Sequence, residues 1–210
     1  MLVKRQFSLN QKLKNSNIEK KIILNISLIC IAGLIIRFYY TPFGIPVSFD
    51  GFTGYFLYTL DISILGHLPN YTLSQSGWSE FLSLFFMNFH SENLIDYTDM
   101  QRTISVILSG ITVIPIYFIC KKFFNNYYSL IGATIFAFEP RIILNSTLGV
   151  AEPLYILAIS LGILLFLNLN KKIIYLSFGF FAWATIIRPE GQFWFVAFSV
   201  IYFLRFRKNR

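Results

Sequence analysis

Apolar residues run through this chain in long blocks, and those blocks predict its elements. Residues 22–40 (IILNISLICIAGLIIRFYY) and 103–120 (TISVILSGITVIPIYFIC) each have about the length of a helix crossing a hydrocarbon core of about 30 Å at about 1.5 Å per residue. Further apolar blocks at 127–138, 153–169, 173–187 and 192–204 bring the predicted spans to six. Several of these are short and need flanking Asn, Tyr or Ser, or a thinner membrane, to cross. The block at 127–138 is cut by Glu139-Pro140-Arg141 and followed by a second apolar piece, 142–150. Residues 127–151 therefore read as a span with a short external loop, which is favoured, or as a re-entrant pair.

Between the first two spans lies a segment, 41–101, far longer than the connections that join neighbouring helices in a bundle. Within it Phe52, Tyr55, Phe56, Leu60, Ile64 and Leu68 recur at helical spacing, and 81–89 (FLSLFFMNF) is apolar but too short to cross. Two interfacial helices are expected, forming a platform with Pro69-Asn70 as the turn between them and Trp78 as a boundary anchor.

Composition agrees with this pattern. Of 210 residues, 55% are hydrophobic and 13% charged, which leaves too little polar surface to wrap a domain in water. The net charge of +8 would raise nucleic-acid binding in a soluble chain, but here the position of the charges matters more than their sum. With six crossings, fourteen cations (Lys4 to Lys21, Lys121-Lys122, Lys171-Lys172 and Arg205 to Arg210) fall on one side with Glu19, a balance of 14 − 1 = +13. Arg37, Arg102, Arg141 and Arg188 fall on the other side with nine acids, 4 − 9 = −5. By the positive-inside rule both termini are cytoplasmic, residues 1–21 form a basic cytoplasmic tail that holds to anionic headgroups, and no nucleic-acid role is expected. The first span is followed by Arg37-Phe38-Tyr39-Tyr40 rather than a small-residue cleavage site, so it is expected to stay attached. Cys30 and Cys120 sit at different depths and read as packing residues.

The external side holds the candidate chemistry. Asp50, in Pro46-Val47-Ser48-Phe49-Asp50-Gly51, stands where the chain leaves the first span, and Glu139-Pro140-Arg141, Glu152-Pro153 and Arg188-Pro189-Glu190-Gly191 occupy the outer ends of other spans. Charged groups in apolar surroundings are costly and tend to pair or to bind something. Each has a plainer alternative. Asp50 also fits a helix N-cap. Arg188 and Glu190 also fit a mutual pair at a helix turn, and Arg102 fits a boundary snorkel as well as a phosphate ligand. His67 and His90 read as surface residues. Asn70-Tyr71-Thr72 and Asn145-Ser146-Thr147 match the glycan-acceptor pattern, the second close to the membrane. On a lipid carrying a phosphate and a sugar, Arg could grip the phosphate through paired hydrogen bonds while Asp50 takes the proton of an attacking hydroxyl.

In these features the chain resembles the membrane glycosyltransferases of the GT-C superfamily. The resemblance rests on Asp50 in a long first external loop, on Asn145-Ser146-Thr147-Leu148-Gly149-Val150-Ala151-Glu152-Pro153, and on the Arg188-Pro189-Glu190-Gly191 box. The segments from Gly66 to Phe86 and from Gln101 to Pro115 are similar to archaeal members of the family 39-like, protein O-mannosyltransferase-like branch. The resemblance implies a hexosyl transfer from a polyprenyl-phosphate-sugar donor to a protein, lipid or glycan acceptor. It implies that Asp50 is the catalytic residue, with Glu152, Arg102, Arg141, Arg188 and Glu190 in substrate binding. Family members often carry two adjacent acids in the first loop, whereas here Phe49 and Gly51 flank Asp50. Some branches use a divalent cation and others do not, so metal ligands and cofactor stay unassigned. The resemblance also implies further spans and an outer domain, so the chain reads as an N-terminal portion. Two rival classes are a non-catalytic membrane subunit or lipid-binding module of the same fold and, ranked last, a transporter. A conduction path would place ionisable groups at mid-membrane rather than at the outer ends.

Overall fold

A computed structural model describes residues 2–69 and 75–207, with side chains described from Lys20 to Phe206 apart from 70–74. Asn70 of the predicted turn, the Asn70-Tyr71-Thr72 motif and the side chains of the basic tract before Lys20 lie outside the described residues. Every regular element among the described residues is helical. Helix α1 (Leu2–Tyr40) contains a segment, Lys20–Tyr40, long and apolar enough to cross a membrane. So does the stretch Leu94–Lys121, built from α5 (Leu94–Ile111) and α6 (Val113–Lys121). The interruption at Thr112 follows from Pro115, which offers no N–H to the Ile111 carbonyl and crowds it.

The other four predicted spans are helices of 13 to 17 residues: α7 (Asn126–Phe138), α9 (Glu152–Phe166), α10 (Lys171–Ile187) and α11 (Gly191–Arg207). A single extended residue, Glu139, separates α7 from α8 (Pro140–Thr147), which Pro140 opens at a position where no N–H is required. The two helices expected within 41–101 are present as two helical runs, together the platform. The first is α2 (Phe49–Gly51), a π-helical stretch Phe52–Phe56, and α3 (Leu57–Leu65), closed by Gly66 in the left-handed conformation that ends many helices. The second is α4 (Gly77–Phe86).

Short connections set α9, α10 and α11 side by side, while α5 touches α1, α8 and α9. One apolar core joins the platform to α9 and α10 through Tyr55, Trp78, Leu82, Leu154, Ala158, Phe181 and Ile187; a smaller one joins α1, α6 and α7 through Ile26, Val113, Tyr117, Ala133 and Ala137. Trp78 therefore corrects the expectation of a boundary anchor. It is fully buried, with its indole N–H on the Gly149 carbonyl at 3.3 Å, which satisfies the one polar atom the ring carries. The outward faces of α1 (Ile23, Leu24, Leu28, Ile31, Ile35) and α11 (Phe193, Val196, Val200, Phe203, Leu204) remain exposed, a surface suited to hydrocarbon rather than water.

The polar residues of α5 form one stripe. Thr98, Gln101, Arg102, Ser105 and Ser109, with Thr112 just beyond, recur at three- and four-residue spacing and are all buried, so the stripe faces the bundle. Arg37, assigned to the external side from sequence, lies fully buried between α1, α5 and α7. It donates from Nε to Ser109 Oγ at 3.0 Å and from Nη1 to the carbonyls of Gly33 at 2.9 Å and Ala137 at 2.8 Å. A guanidinium withdrawn from solvent persists only where acceptors meet it, and here they come from three helices. Arg37→Ala removes the donor to Ser109 Oγ and to the Ala137 carbonyl and is expected to cost about 2–3 kcal/mol, seen as a lower thermal midpoint in detergent. An unchanged midpoint would show that the clamp is dispensable.

Candidate functional site

Two loops far apart in sequence are brought into contact by glycine. Residues 48–51 lie against 148–149 so closely that a Cβ on Gly51 would stand 3.1 Å from the Leu148 carbonyl oxygen. Gly149 has φ +70°, a conformation side chains disfavour, and a Cβ there would meet Val47 at 2.9 Å. Polar contacts then hold the joint. Ser48 Oγ donates to the Leu148 carbonyl at 3.3 Å and accepts the Gly51 N–H at 3.2 Å, capping α2. Gln101 Nε2 donates to the carbonyls of Gly51, at 3.3 Å, and Gly149. One amide on α5 thus ties the residue after Asp50 to the turn that opens α9 at Glu152.

Arg188 approaches the joint from the end of α10. Pro189 disfavours a helical conformation at the preceding residue, and Arg188 is extended (φ −148°, ψ 138°), its N–H closing on the Ala184 carbonyl at 2.9 Å. The side chain binds two carboxylates. Nη1 donates to Glu152 Oε1, while Nε and Nη2 donate to the two oxygens of Glu190 at 3.3 and 3.2 Å. Burial opposes the Arg188 charge, but the hydrogen bonds it donates to Glu190 and the field of Glu152 outweigh it and raise its pKa. The Arg188 hydrogen bonds hold the Glu190 carboxyl below its ordinary pKa.

These groups border a cavity of about 360 Å³ lined by Asp50, Thr53, Gly54 and Tyr55 from the platform, Gln75 before α4, Val150 and Glu152 at the start of α9, and Arg188. Its charged lining sums to −1 from Asp50, Glu152 and Arg188, and to −2 with Glu190. Tyr55 is buried beneath it, with its hydroxyl 3.2 Å from Gln75 Oε1. Burial pushes the phenol up, the Glu152 charge adds to this, and the group stays a neutral hydrogen-bond donor.

Of the residues singled out from sequence, Asp50, Glu152 and Arg188 line this cavity, and Glu190 is held to it through Arg188. Arg102 does not reach it. Buried on α5, it donates to the carbonyls of Ile45 at 2.5 Å and Pro46 at 2.6 Å and pairs with Asp99 at 3.4 Å, which braces the loop before Asp50, while its Nε is buried without a partner among the described residues. The Asp99 carboxylate accepts the Gly44 N–H in the same brace. Arg141 lies exposed on α8, outside the cavity. In the Asn145-Ser146-Thr147 motif, Ser146 and Thr147 are buried with their hydroxyls on carbonyls within α8, and Asn145 lines a narrow crevice that shares Glu152 with the cavity. Gln101 and Tyr55 had no assigned role. The signal for Gln101 was its place in the polar stripe, which continues at helical spacing into the apolar run at 103–120.

Among the described residues no three His, Cys, Asp or Glu side chains converge closely enough to hold a metal ion. Asp50 and Glu152 bring two carboxylates to the cavity. No protein-family model, curated protein or solved structure matches the chain.

Gln101→Ala is expected to cost about 1–2 kcal/mol and to speed amide hydrogen exchange at 51–54 and 149–152 together; acceleration at only one of the two loops would contradict the bridge. Glu190 has a folded pKa below its unfolded one, so its contribution is present above the ordinary value of 4.5 and is lost as pH falls through the lower folded value. Amide protection over 188–192 is expected to drop only in that acid window, and Glu190→Gln is expected to abolish the step. Persistence of the step in the variant would assign it to another group.

Proposed function

We propose that the chain is a membrane-embedded glycosyltransferase module of GT-C type, which moves a sugar from a polyprenyl-phosphate carrier to an acceptor hydroxyl at the extracytoplasmic face. In this reading the six apolar helices cross the membrane, both termini are cytoplasmic, and the acid-lined cavity opens outside. The sorting of cations to one side supports the orientation, and the exposed apolar faces of α1 and α11 support embedding. The observation that carries the proposal is the meeting of Asp50, Glu152 and Arg188, from three separate segments, around one cavity of about 360 Å³.

The chemistry follows from the roles these groups can take. Asp50 accepts the proton of the acceptor hydroxyl as its oxygen bonds to the anomeric carbon. The bond from that carbon to the phosphate oxygen breaks, and the phosphate leaves with the electron pair. Arg188 answers the charge that gathers on the leaving phosphate. A guanidinium has five N–H groups. Three are engaged by Glu152 and Glu190, which leaves two for a phosphate oxygen. Because the lining is net negative, a phosphate gains hold only by using those donors or by displacing a carboxylate. Glu152 and Glu190 thus set the orientation of Arg188 and weaken its hold on free anions, favouring a donor anchored by its lipid tail.

The same engagement of Arg188 favours a second reading, a non-catalytic lipid-binding subunit of the same fold, which predicts donor retention without turnover. Purified protein incubated with labelled polyprenyl-phosphate sugars distinguishes the two. Transfer by the wild type, reduced about a hundredfold or more in Asp50→Asn, is expected for a general base. Transfer that survives Asp50→Asn sinks the mechanism, and retention of donor with no transfer by the wild type selects the second reading.

A further inference from the structure

We infer that α8 and the end of α1 form a second binding site, separate from the cavity at Asp50, that holds an anionic membrane phospholipid with a hydrocarbon chain in an apolar groove and its phosphate on Arg141. The groove has a volume of about 400 Å³ and is lined by Tyr40, Pro140, Ile143, Leu144 and Thr147. It shares no lining residue with the cavity at Asp50. The four α8 residues stand at positions i, i+3, i+4 and i+7 and so form a single face of the helix. Thr147 presents little polarity to it, because its hydroxyl donates to the Leu144 carbonyl at 2.8 Å.

Depth identifies the occupant. Tyr40 ends the membrane-length segment Lys20–Tyr40 and is 66% exposed next to Tyr39 at 81%, an aromatic pair of the kind that marks a headgroup boundary. A molecule reaching from that boundary into an apolar groove has a polar head and a hydrocarbon tail. Charge selects the head. Arg141 is exposed, flanks the groove three residues before Leu144, and forms no ion pair among the described residues. The nearest acid in sequence, Glu139, is the N-cap of α8 and stands four residues before Ile143 on the other flank of the groove. It is two residues from Arg141, a spacing at which side chains do not face each other, and forms no ion pair with it. A guanidinium that keeps its charge beside apolar surface and binds phosphate with paired hydrogen bonds suits a phosphodiester headgroup. The inference requires α1 to cross the membrane but not that the chain transfers sugar.

The full chain, delipidated in detergent and titrated separately with phosphatidylglycerol and with phosphatidylcholine of the same acyl chains, tests this by native mass spectrometry. Wild-type protein is expected to retain phosphatidylglycerol about fivefold better. Arg141→Gln is expected to bring that retention down to the phosphatidylcholine level, Leu144→Trp to fill the groove and lower both, and Asp50→Asn to change neither. Equal retention of the two lipids by wild type, or phosphatidylglycerol retention untouched by Arg141→Gln, overturns the inference. So does a dimer that Leu144→Trp dissociates, since the groove would then be covered by a second copy.

Discussion

A polar group carried into an apolar bundle is held in place by the partners it finds inside that bundle, and much of this structure can be traced to the partners that α5 reaches, although Gln101 Oε1, Arg102 Nε and Ser105 Oγ find none among the described residues. Its stripe from Thr98 to Ser109, continued by Thr112, lies buried along one face, and each long polar side chain on it reaches a different neighbour. Ser109 accepts from Arg37 on α1, Gln101 reaches the carbonyls of Gly51 and Gly149, and Arg102 reaches those of Ile45 and Pro46. In water these hydrogen bonds would compete with solvent and give little net stability. Away from water an unmet partner is expensive, so the same bonds fix where loops may lie.

The cavity is a consequence of that fixing. Asp50 lies in the three-residue α2 and Glu152 is the first residue of α9, each beside a connecting segment that would ordinarily be among the mobile parts of a helical protein. Here the two segments touch through glycine backbone, share the Gln101 amide, and rest on Trp78, whose ring sits in the core. Arg188 is placed by a different device, a proline that ends α10 and leaves one extended residue facing the joint. Gly191 follows with so little room that a Cβ would meet the Ala184 carbonyl group. Two carboxylates then hold the guanidinium from opposite sides, which sets its orientation before any ligand arrives.

Much of this was legible in the sequence because apolar blocks and isolated charges are strong one-dimensional signals. Helical structure occupies all six predicted apolar blocks, the second as the pair α5 and α6, and the acids and the arginine that face the cavity were visible as charged residues at the ends of apolar runs. Partner choice was legible only where the partner is a near neighbour. The Arg188–Glu190 pair read from sequence is present, whereas nothing in the sequence separates Arg102, which reaches backbone carbonyls 56 and 57 positions away, from Arg188, which also binds Glu152 and lines the cavity. Trp78 read as a boundary residue because an indole often is one; the carbonyl that satisfies its N–H lies 71 positions distant. The break at Thr112 lies inside a run long and apolar enough to read as one span, although Pro115 marks it in retrospect.

The central claim is that Asp50, Glu152 and Arg188 together form the place where a sugar-bearing lipid phosphate docks. A polyprenyl-phosphate sugar with a photoactivatable group on the sugar, cross-linked to the full chain in lipid nanodiscs and mapped by peptide mass spectrometry, tests it most directly. Adducts at 50–55 and 150–152 that unlabelled donor competes away are predicted; competed adducts confined to other segments would contradict the account.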